Sequence, residues 1–437
     1  MKKNKRALFI TYYWPPAGGI GVLRCLKIIK YIREFGWEPV IYTASDAQYP
    51  SFDYTNEKDI PAGVEVLKRP IIEPFIFYKL ITGRKKNTPL PNVFNTSEVE
   101  TGIIHEFSVW VRSNFFIPDA RALWIKPSVK FLLQYLQSNP VDVIFTDGPP
   151  HTNTMIGYYI SEKTGIPWLA DFQDPWTQVD YYKLLKLTKR ADKKHHHLEK
   201  LVLKKADKIT IVSQNWKEEL EKIGAKNVDV IPWGYDDADF ENLPPIEKSN
   251  KLLVTHLGQM GSDRNPKLLF KAIAQLAGEN QAFRKSIDIR LIGVVDKSVR
   301  DAIQEYEVGE YVNVQSQINR KESLMIMKQS QILLLLLNEA ENAKGRIPGK
   351  LFEYMRSRRP ILAFGPEDSD VEKILEETNA GILIQYEDFP VILETLNVLF
   401  EKFRLNQLQD NESNLEAYSI RNLTGKIASY FDVISGN

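Results

Sequence analysis

The sequence predicts an α/β chain built from two Rossmann-like, doubly wound domains facing a central cleft. Three observations carry this. Apolar runs of strand length recur at residues 7–12, 331–337 and 360–364, as in strands buried on both faces of a parallel sheet. Stretches with apolar residues at helical spacing lie between them, and glycine- or proline-containing loops follow several strands directly. A proline-rich, acidic segment at 233–245 then interrupts the series, which begins again at residue 252.

The chain has 437 residues, enough for two or three domains with sizeable cores. Lys and Arg (57) balance Asp and Glu (56), so no polybasic surface argues for nucleic acid as a partner. A single cysteine, Cys25, excludes an internal disulfide and fits a reducing compartment. The basic start is followed by a short apolar run that breaks at Trp14-Pro15-Pro16, which makes neither a signal peptide nor a span. A cytoplasmic protein is expected.

In order along the chain, residues 7–12 form a strand and 14–21 a loop containing Gly18, Gly19 and Gly21. The spacing of Leu23, Leu26, Ile29 and Ile32 predicts a helix ending at Gly36, and 39–43 is the next strand. This is a βαβ opening, but its glycines do not keep the dinucleotide-binding GxGxxG spacing. Residues 45–125 read as an irregular insertion, with an apolar patch at 71–81, basic residues at 83–86 and aromatics at 103–124. Apolar groups beside Arg and Lys suit a membrane surface or a lipid-linked substrate; an irregular insertion packed on its own domain is the preferred reading.

Residues 141–147 form a strand, the loop Gly148-Pro-Pro-His151 follows, and 154–163 is a helix. The strand 167–171 ends in Asp171-Phe-Gln-Asp174-Pro-Trp176. Ligands of open α/β sheets sit beyond the carboxyl ends of the strands, which singles out the loops at 18–21, 147–152 and 171–176. Residues 181–208 read as one long charged helix. His195, His196 and His197 are consecutive on it, point in different directions and cannot converge on one metal ion, so they are read as solvated. Strands follow at 208–212 and 228–232.

The second series contains strands at 252–257, 287–292, 312–314, 331–337, 360–364 and 381–384, with helices between them and a helical tail. The stretch from Lys344 to Met355 is its centre. A strand, a Pro348-Gly349 turn and a helix start place backbone N–H groups before an anion. Lys350 in a first helical turn opposes the helix dipole, which points to a ligand for its charge. Glu353, among Leu351, Phe352 and Tyr354, needs a polar partner that a sugar diol would supply. The plainer alternative is a solvated lysine and a surface glutamate.

Taken together, the residues resemble the family-4 retaining glycosyltransferases of GT-B fold. The resemblance rests on Tyr12-Tyr-Trp-Pro-Pro-Ala-Gly-Gly19, Asp147-Gly-Pro-Pro-His151, Asp171-Phe-Gln-Asp-Pro-Trp176, Ile231-Pro-Trp-Gly-Tyr-Asp236, the loop around Gly258, and Pro348-Gly-Lys-Leu-Phe-Glu-Tyr354. It implies an acceptor-side domain over 1–233, a donor-binding domain over 234–415, and a terminal helix over 416–437 that packs back on the first domain. It also implies transfer of a sugar from a nucleotide diphosphate to a glycan or lipid-linked acceptor in surface or exopolysaccharide synthesis, with the anomeric configuration retained. No cofactor and no metal are expected; only Asp171 and Asp174 have a spacing that would suit an ion.

Family members carry two glutamates on the central element; here Glu353, expected at the ribose, matches the second, and Gly345 stands at the first. The loop after the first strand of the second domain usually carries an Arg and a Lys for the diphosphate. Gln259 stands at the Arg position and Arg264 at that of the Lys, so Arg264 is the expected diphosphate ligand, with Lys350, Arg346 or Lys344 supplying further charge. The backbone at Gly18 and Gly19, at Gly258 and at Gly349 completes the expected donor-binding set. Asp147 or His151 would position the acceptor hydroxyl or the donor sugar, and Asp171 and Asp174 the acceptor or a helix start. Two rivals remain at this stage: a sugar-nucleotide epimerase of the same fold, and a non-catalytic nucleotide-sugar-binding subunit.

Overall fold

A computed structural model describes residues 5–73, 103–241, 243–245, 249–340, 343–408 and 414–436. Past Glu73, the apolar and basic stretch at 71–86 lies outside the described residues. The chain divides into two compact units: one reaches Pro232 and includes Ile420–Asn437, and the other holds Trp233–Ser419.

Among the described residues the first unit is built on seven strands: β1 (Lys5–Ile10), β2 (Trp37–Ala44), β3 (Glu65–Arg69), β4 (Val143–Gly148), β5 (Trp168–Phe172), β6 (Lys208–Ile211) and β7 (Val228–Val230). All its pairs are parallel, in the order β3-β2-β1-β4-β5-β6-β7. The second has six: β8 (Leu252–Leu257), β9 (Ile287–Ile292), β10 (Val312–Gln315), β11 (Ile332–Leu336), β12 (Ile361–Phe364) and β13 (Gly381–Ile384). They are again all parallel, in the order β10-β9-β8-β11-β12-β13. Both sheets are Rossmann-like, and the expected α/β class is what is found.

Burial explains the continuous apolar runs. In β11, Ile332, Leu334 and Leu336 join a core with the helices Lys267–Glu279 and Phe389–Arg404. Leu333 and Leu335 face the other way, into a core with Leu351, Phe352 and Tyr354 of the helix Lys350–Arg356. In the first unit, Ala7 and Phe9 of β1 pack under the helices Ile20–Ile32 and Ile420–Ser435. The second of these comes from the end of the chain. Phe431, fully buried, lies edge-on to Phe9, Trp37 and Phe145.

Three readings of the sequence need correction. The charged stretch after residue 180 is not one helix: a 3-10 turn at Asp180–Leu185 ends where Lys186 takes a left-handed conformation (φ 48), and a helix restarts at Lys189–Lys205 under a Thr188 cap. The polar segment after residue 45 contains β3, whose residues are largely exposed at the sheet edge and so carry no apolar signal. The tail is broken at Ser419, between a 3-10 turn at Glu416–Tyr418 and the helix Ile420–Ser435.

Each strand order reverses once, between β1 and β4 in the first unit and between β8 and β11 in the second. At such a reversal neighbouring loops leave in opposite directions and open a crevice at the strands' carboxyl ends. The loop after β1 and the turn after β4 meet this condition in one unit, and the loops after β8 and β11 in the other. Because the terminal helix completes the core of the first unit, Phe431→Ala should lower unfolding free energy by about 3–5 kcal/mol, read as a shift of the denaturant midpoint at unchanged slope.

Candidate active site

At the carboxyl end of the first sheet, Asp147 of β4 lies beside Asp171 of β5 in register, and both are buried. Two buried carboxylates side by side need compensation. Arg24 supplies it for Asp171: Nε donates to Oδ2 (2.6 Å) and Nη2 to Oδ1 (2.8 Å), while the Thr210 hydroxyl donates to Oδ1 (2.6 Å). Arg24 itself is tied to the Ile231 and Pro232 carbonyls. Asp171 is therefore held inside the fold rather than offered to an acceptor.

Asp147 accepts from the Thr11 hydroxyl (3.0 Å) and from the Gln173 amide. Burial and the neighbouring Asp171 push its carboxyl up to about 7, against the pull of Gln173, Thr11 and Arg24. Asp174, in the loop after β5, is only half-buried.

His151 is the first residue of the helix His151–Thr164, whose start is capped by Asp119: its carboxylate accepts the Thr152 N–H and hydroxyl, both at 2.8 Å. The imidazole stacks flat on Trp176 at 4.4 Å, and burial, with His195 next, holds it neutral by lowering it to about 3. Its Nδ1 has no hydrogen-bond partner among the described residues. Trp176 in turn donates to Nδ1 of His195 (3.1 Å). The reading of three solvated histidines thus holds for His196 and His197 but fails for His195, which is buried and accepts an indole N–H.

The glycine loop after β1 also differs from expectation. The Gly18 N–H donates to the Ser51 carbonyl (2.9 Å), so it is not open to an anion; Gly19 is exposed at the start of the helix Ile20–Ile32.

In the second unit, β8 ends at Leu257, whose N–H donates to the Tyr354 hydroxyl (3.0 Å) and whose carbonyl accepts from Lys350 Nζ (2.7 Å). Exposed Gly258 follows with φ 120, and a Cβ there would stand 2.9 Å from that ammonium. Gly293, at the end of β9, backs onto the Gly258 carbonyl, which a Cβ would approach to 2.3 Å. Both positions need glycine for their positive φ, and Gly293 also because the carbonyl it faces is backbone. Lys350 is lowered to about 7, first by burial and then by Arg264, with Glu353 opposing. Arg264 leans on its neighbour Asp263 through Nη2 (3.1 Å) and stays partly exposed.

Of the other expected donor ligands, Arg346 and Gly349 are half-buried, Lys344 is exposed near Asp368, and Gly345 is buried in a 3-10 turn. Two expectations change. The helix Lys350–Arg356 has only seven residues, and its Leu351 and Phe352 N–H groups already bond to Pro348 and Gly349 carbonyls, so its start is no anion cradle. Glu353 is not waiting for its first polar partner: Arg320 Nη2 meets its Oε1 at 2.7 Å and also Asp239 Oδ2 at 2.8 Å.

The structure gathers Arg264, Lys350 and Gly258 at one strand end, and Asp147, His151 and Asp171 at another. Sequence reasoning missed Arg24, Arg320 and Asp119. Arg24 had a signal, a charge inside the apolar stripe of its helix; the other two had none. Since Asp171 depends on Arg24, Arg24→Leu should cost about 3–5 kcal/mol of stability, and Arg24→Leu/Asp171→Leu much less; chemical denaturation of the three proteins checks this.

The solved structures similar to this chain share its fold. A sucrose-phosphate synthase from Thermosynechococcus elongatus has a TM-score of 0.62 at 13% identity, over 99% of this chain and 100% of that one. HepE of Anabaena, solved with UDP and glucose, has a TM-score of 0.59 at 14% identity, over 98% and 99%. A putative UDP-N-acetylglucosamine 2-epimerase from Listeria monocytogenes has 0.56 at 10%, over 98% and 96%. No curated protein matches the sequence. The profile of the family described as Glycosyltransferase Family 4 matches residues 18–239, just over half of the 437. With two Rossmann-like domains of GT-B kind, the chain belongs to glycosyltransferase family 4, enzymes that use nucleotide sugars.

Proposed function

We propose that the protein is a retaining glycosyltransferase that takes its sugar from a nucleoside diphosphate and passes it to a glycan or lipid-linked acceptor for a surface polysaccharide, working in the cytoplasm without a metal or other cofactor. The observation that carries the donor assignment is the pairing of Lys350 and Arg264 at the carboxyl end of β8, beside a glycine that leaves the approach open. Two cations there suit a diphosphate whose negative charge grows as the glycosidic bond breaks. Arg264 exchanges its contact with Asp263 for a fork onto phosphate oxygens. Glu353 takes the ribose. HepE, of like fold, was solved with UDP, which makes UDP the first nucleotide to try.

The resemblance to family members supports front-face attack, with a phosphate oxygen of the leaving group taking the acceptor's proton. In the first unit His151, kept neutral by burial, orients a hydroxyl by hydrogen bonding, while Asp147 sits deeper and steadies the strand end. An epimerase would instead need an acid at the sugar, and the second unit has Gly345 at the position where family members carry their first glutamate. Incubation with donor alone separates the two: a new sugar nucleotide marks an epimerase, slow hydrolysis a transferase.

Two outcomes test the donor site. Arg264→Ala should weaken UDP binding by roughly 10- to 100-fold, the worth of a charge-assisted hydrogen bond, in a calorimetric titration; unchanged affinity would refute the assignment. Lys350 adds a pH dependence. Its proton affinity is depressed in the free protein, and a bound diphosphate raises it, so binding takes up a proton above pH 7. Affinity should then fall with rising pH, approaching tenfold per unit above that point, and Lys350→Met should abolish the slope.

A further inference from the structure

We infer that Arg320 is a positioning residue for the nucleotide, holding one oxygen of Glu353 so that the other is presented to the ribose hydroxyls. The inference rests on the donor reading of Glu353 given above.

Its basis is a three-residue bridge inside the second unit. One guanidinium nitrogen, Nη2 of Arg320, lies 2.7 Å from Glu353 Oε1 and 2.8 Å from Asp239 Oδ2. Each member of the bridge is fixed by its own backbone. Arg320 opens the helix Arg320–Gln329, where the Asn319 side chain accepts the Glu322 N–H (2.9 Å). Asp239 is buried in the short helix Asp237–Phe240, which Asp236 caps at Ala238 and Asp237 ties to Arg356. Glu353 stands on the helix Lys350–Arg356, three residues after the lysine whose ammonium reaches the end of β8.

A glutamate with one oxygen clamped by a guanidinium has lost most of its torsional freedom, and its second oxygen keeps lone pairs for hydroxyl donors. Burial alone would weaken the hold of Arg320 on its proton, but the charges of Glu353 and Asp239 outweigh burial, so the clamp stays cationic. Asp239 takes part of that cation's field and keeps Arg320 from closing onto both oxygens of Glu353. Unlike a ligand, Arg320 acts only through the carboxylate.

The test compares UDP with its 2′,3′-dideoxy analogue by calorimetry, for the full chain and for Glu353→Gln, Arg320→Gln and Arg320→Lys. The unaltered protein should prefer the ribonucleotide by roughly 10- to 100-fold, the worth of hydrogen bonds to a charged group. Arg320→Gln leaves buried Asp239 without its cation and lowers the melting midpoint, but among the folded molecules it should bring that preference within about threefold while the affinity for the dideoxy analogue stays put, a pattern that mere loss of structure would not give. Loss of preference in Glu353→Gln but not in Arg320→Gln overturns the inference and leaves the ribose reading standing. Preference retained in Glu353→Gln, or absent from the unaltered protein, overturns both. Should Arg320→Gln fail to fold, Arg320→Lys decides: it keeps the charge on a flexible stem that cannot bridge both acids, so a reduced preference supports the clamp and a full one overturns it.

Discussion

A parallel strand that stops inside a fold leaves a carbonyl pointing past the sheet, and a buried carbonyl without a donor is costly. In the second unit that carbonyl belongs to Leu257, and Lys350 Nζ satisfies it at 2.7 Å. Much of the neighbourhood follows from this contact. The chain then turns at residue 258 with φ 120, a conformation that favours glycine, and the Gly258 carbonyl lies so close to residue 293 that glycine is needed there too. Tyr354, one turn along from Lys350, takes the Leu257 N–H, so the short helix is bolted to β8 at two adjacent atoms. A helix of seven residues would be marginal alone; its apolar side, Leu351, Phe352 and Met355, supplies the packing that the two bonds orient.

The first unit meets the same problem with opposite charge. Its strand ends bring two acids, Asp147 and Asp171, into one register, and Asp171 is the one gripped by two nitrogens of Arg24. Burial and the neighbouring Asp171 raise the proton affinity of Asp147, which accepts from Thr11 and Gln173 and feels Arg24 only through its charge. His151 and Trp176, stacked beyond this pair, rest on the same strand ends through the loops after β4 and β5. A polar region held by so many bonds is fixed before any substrate arrives, which suits the role proposed for it of orienting a hydroxyl.

Much of this could be read from the sequence, and the limits have physical causes. Strands buried on both faces announce themselves, so β8 and β11 and the loops after them were legible, whereas the strand order, and the reversals in it, was not. Gly258 and Lys350 were both picked out as donor ligands, yet their proximity was not foreseen, because a lysine's long stem lets its head land on a carbonyl far along the chain. Glu353 was correctly seen to need a partner, but the partner came from Arg320, which opens an unremarkable polar helix. His195 misled because three consecutive histidines on a charged helix look solvated, whereas one position in three or four of any helix faces inward. Edge strand β3 was invisible for the converse reason: with both faces poorly covered it carries little apolar pattern.

The charges at the end of β8 also bear on how binding energy is used. A freely solvated lysine would be cationic before, during and after reaction, and would favour substrate and transition state alike, which lowers the barrier little. Lys350, depressed by burial and by Arg264, is poised where its protonation responds to what lies opposite it. As the bond to the sugar lengthens, charge accumulates on the departing diphosphate and the proton on Lys350 is held more tightly. Arg264, half-neutralised by Asp263 in the free protein, is likewise freer to commit its field once a stronger anion is present. On the proposed chemistry, two muted cations strengthen together as the leaving group forms. That is a more selective way to stabilise a transition state than permanent charge, and it gives a structural reason for burying a lysine that an exposed one could not replace.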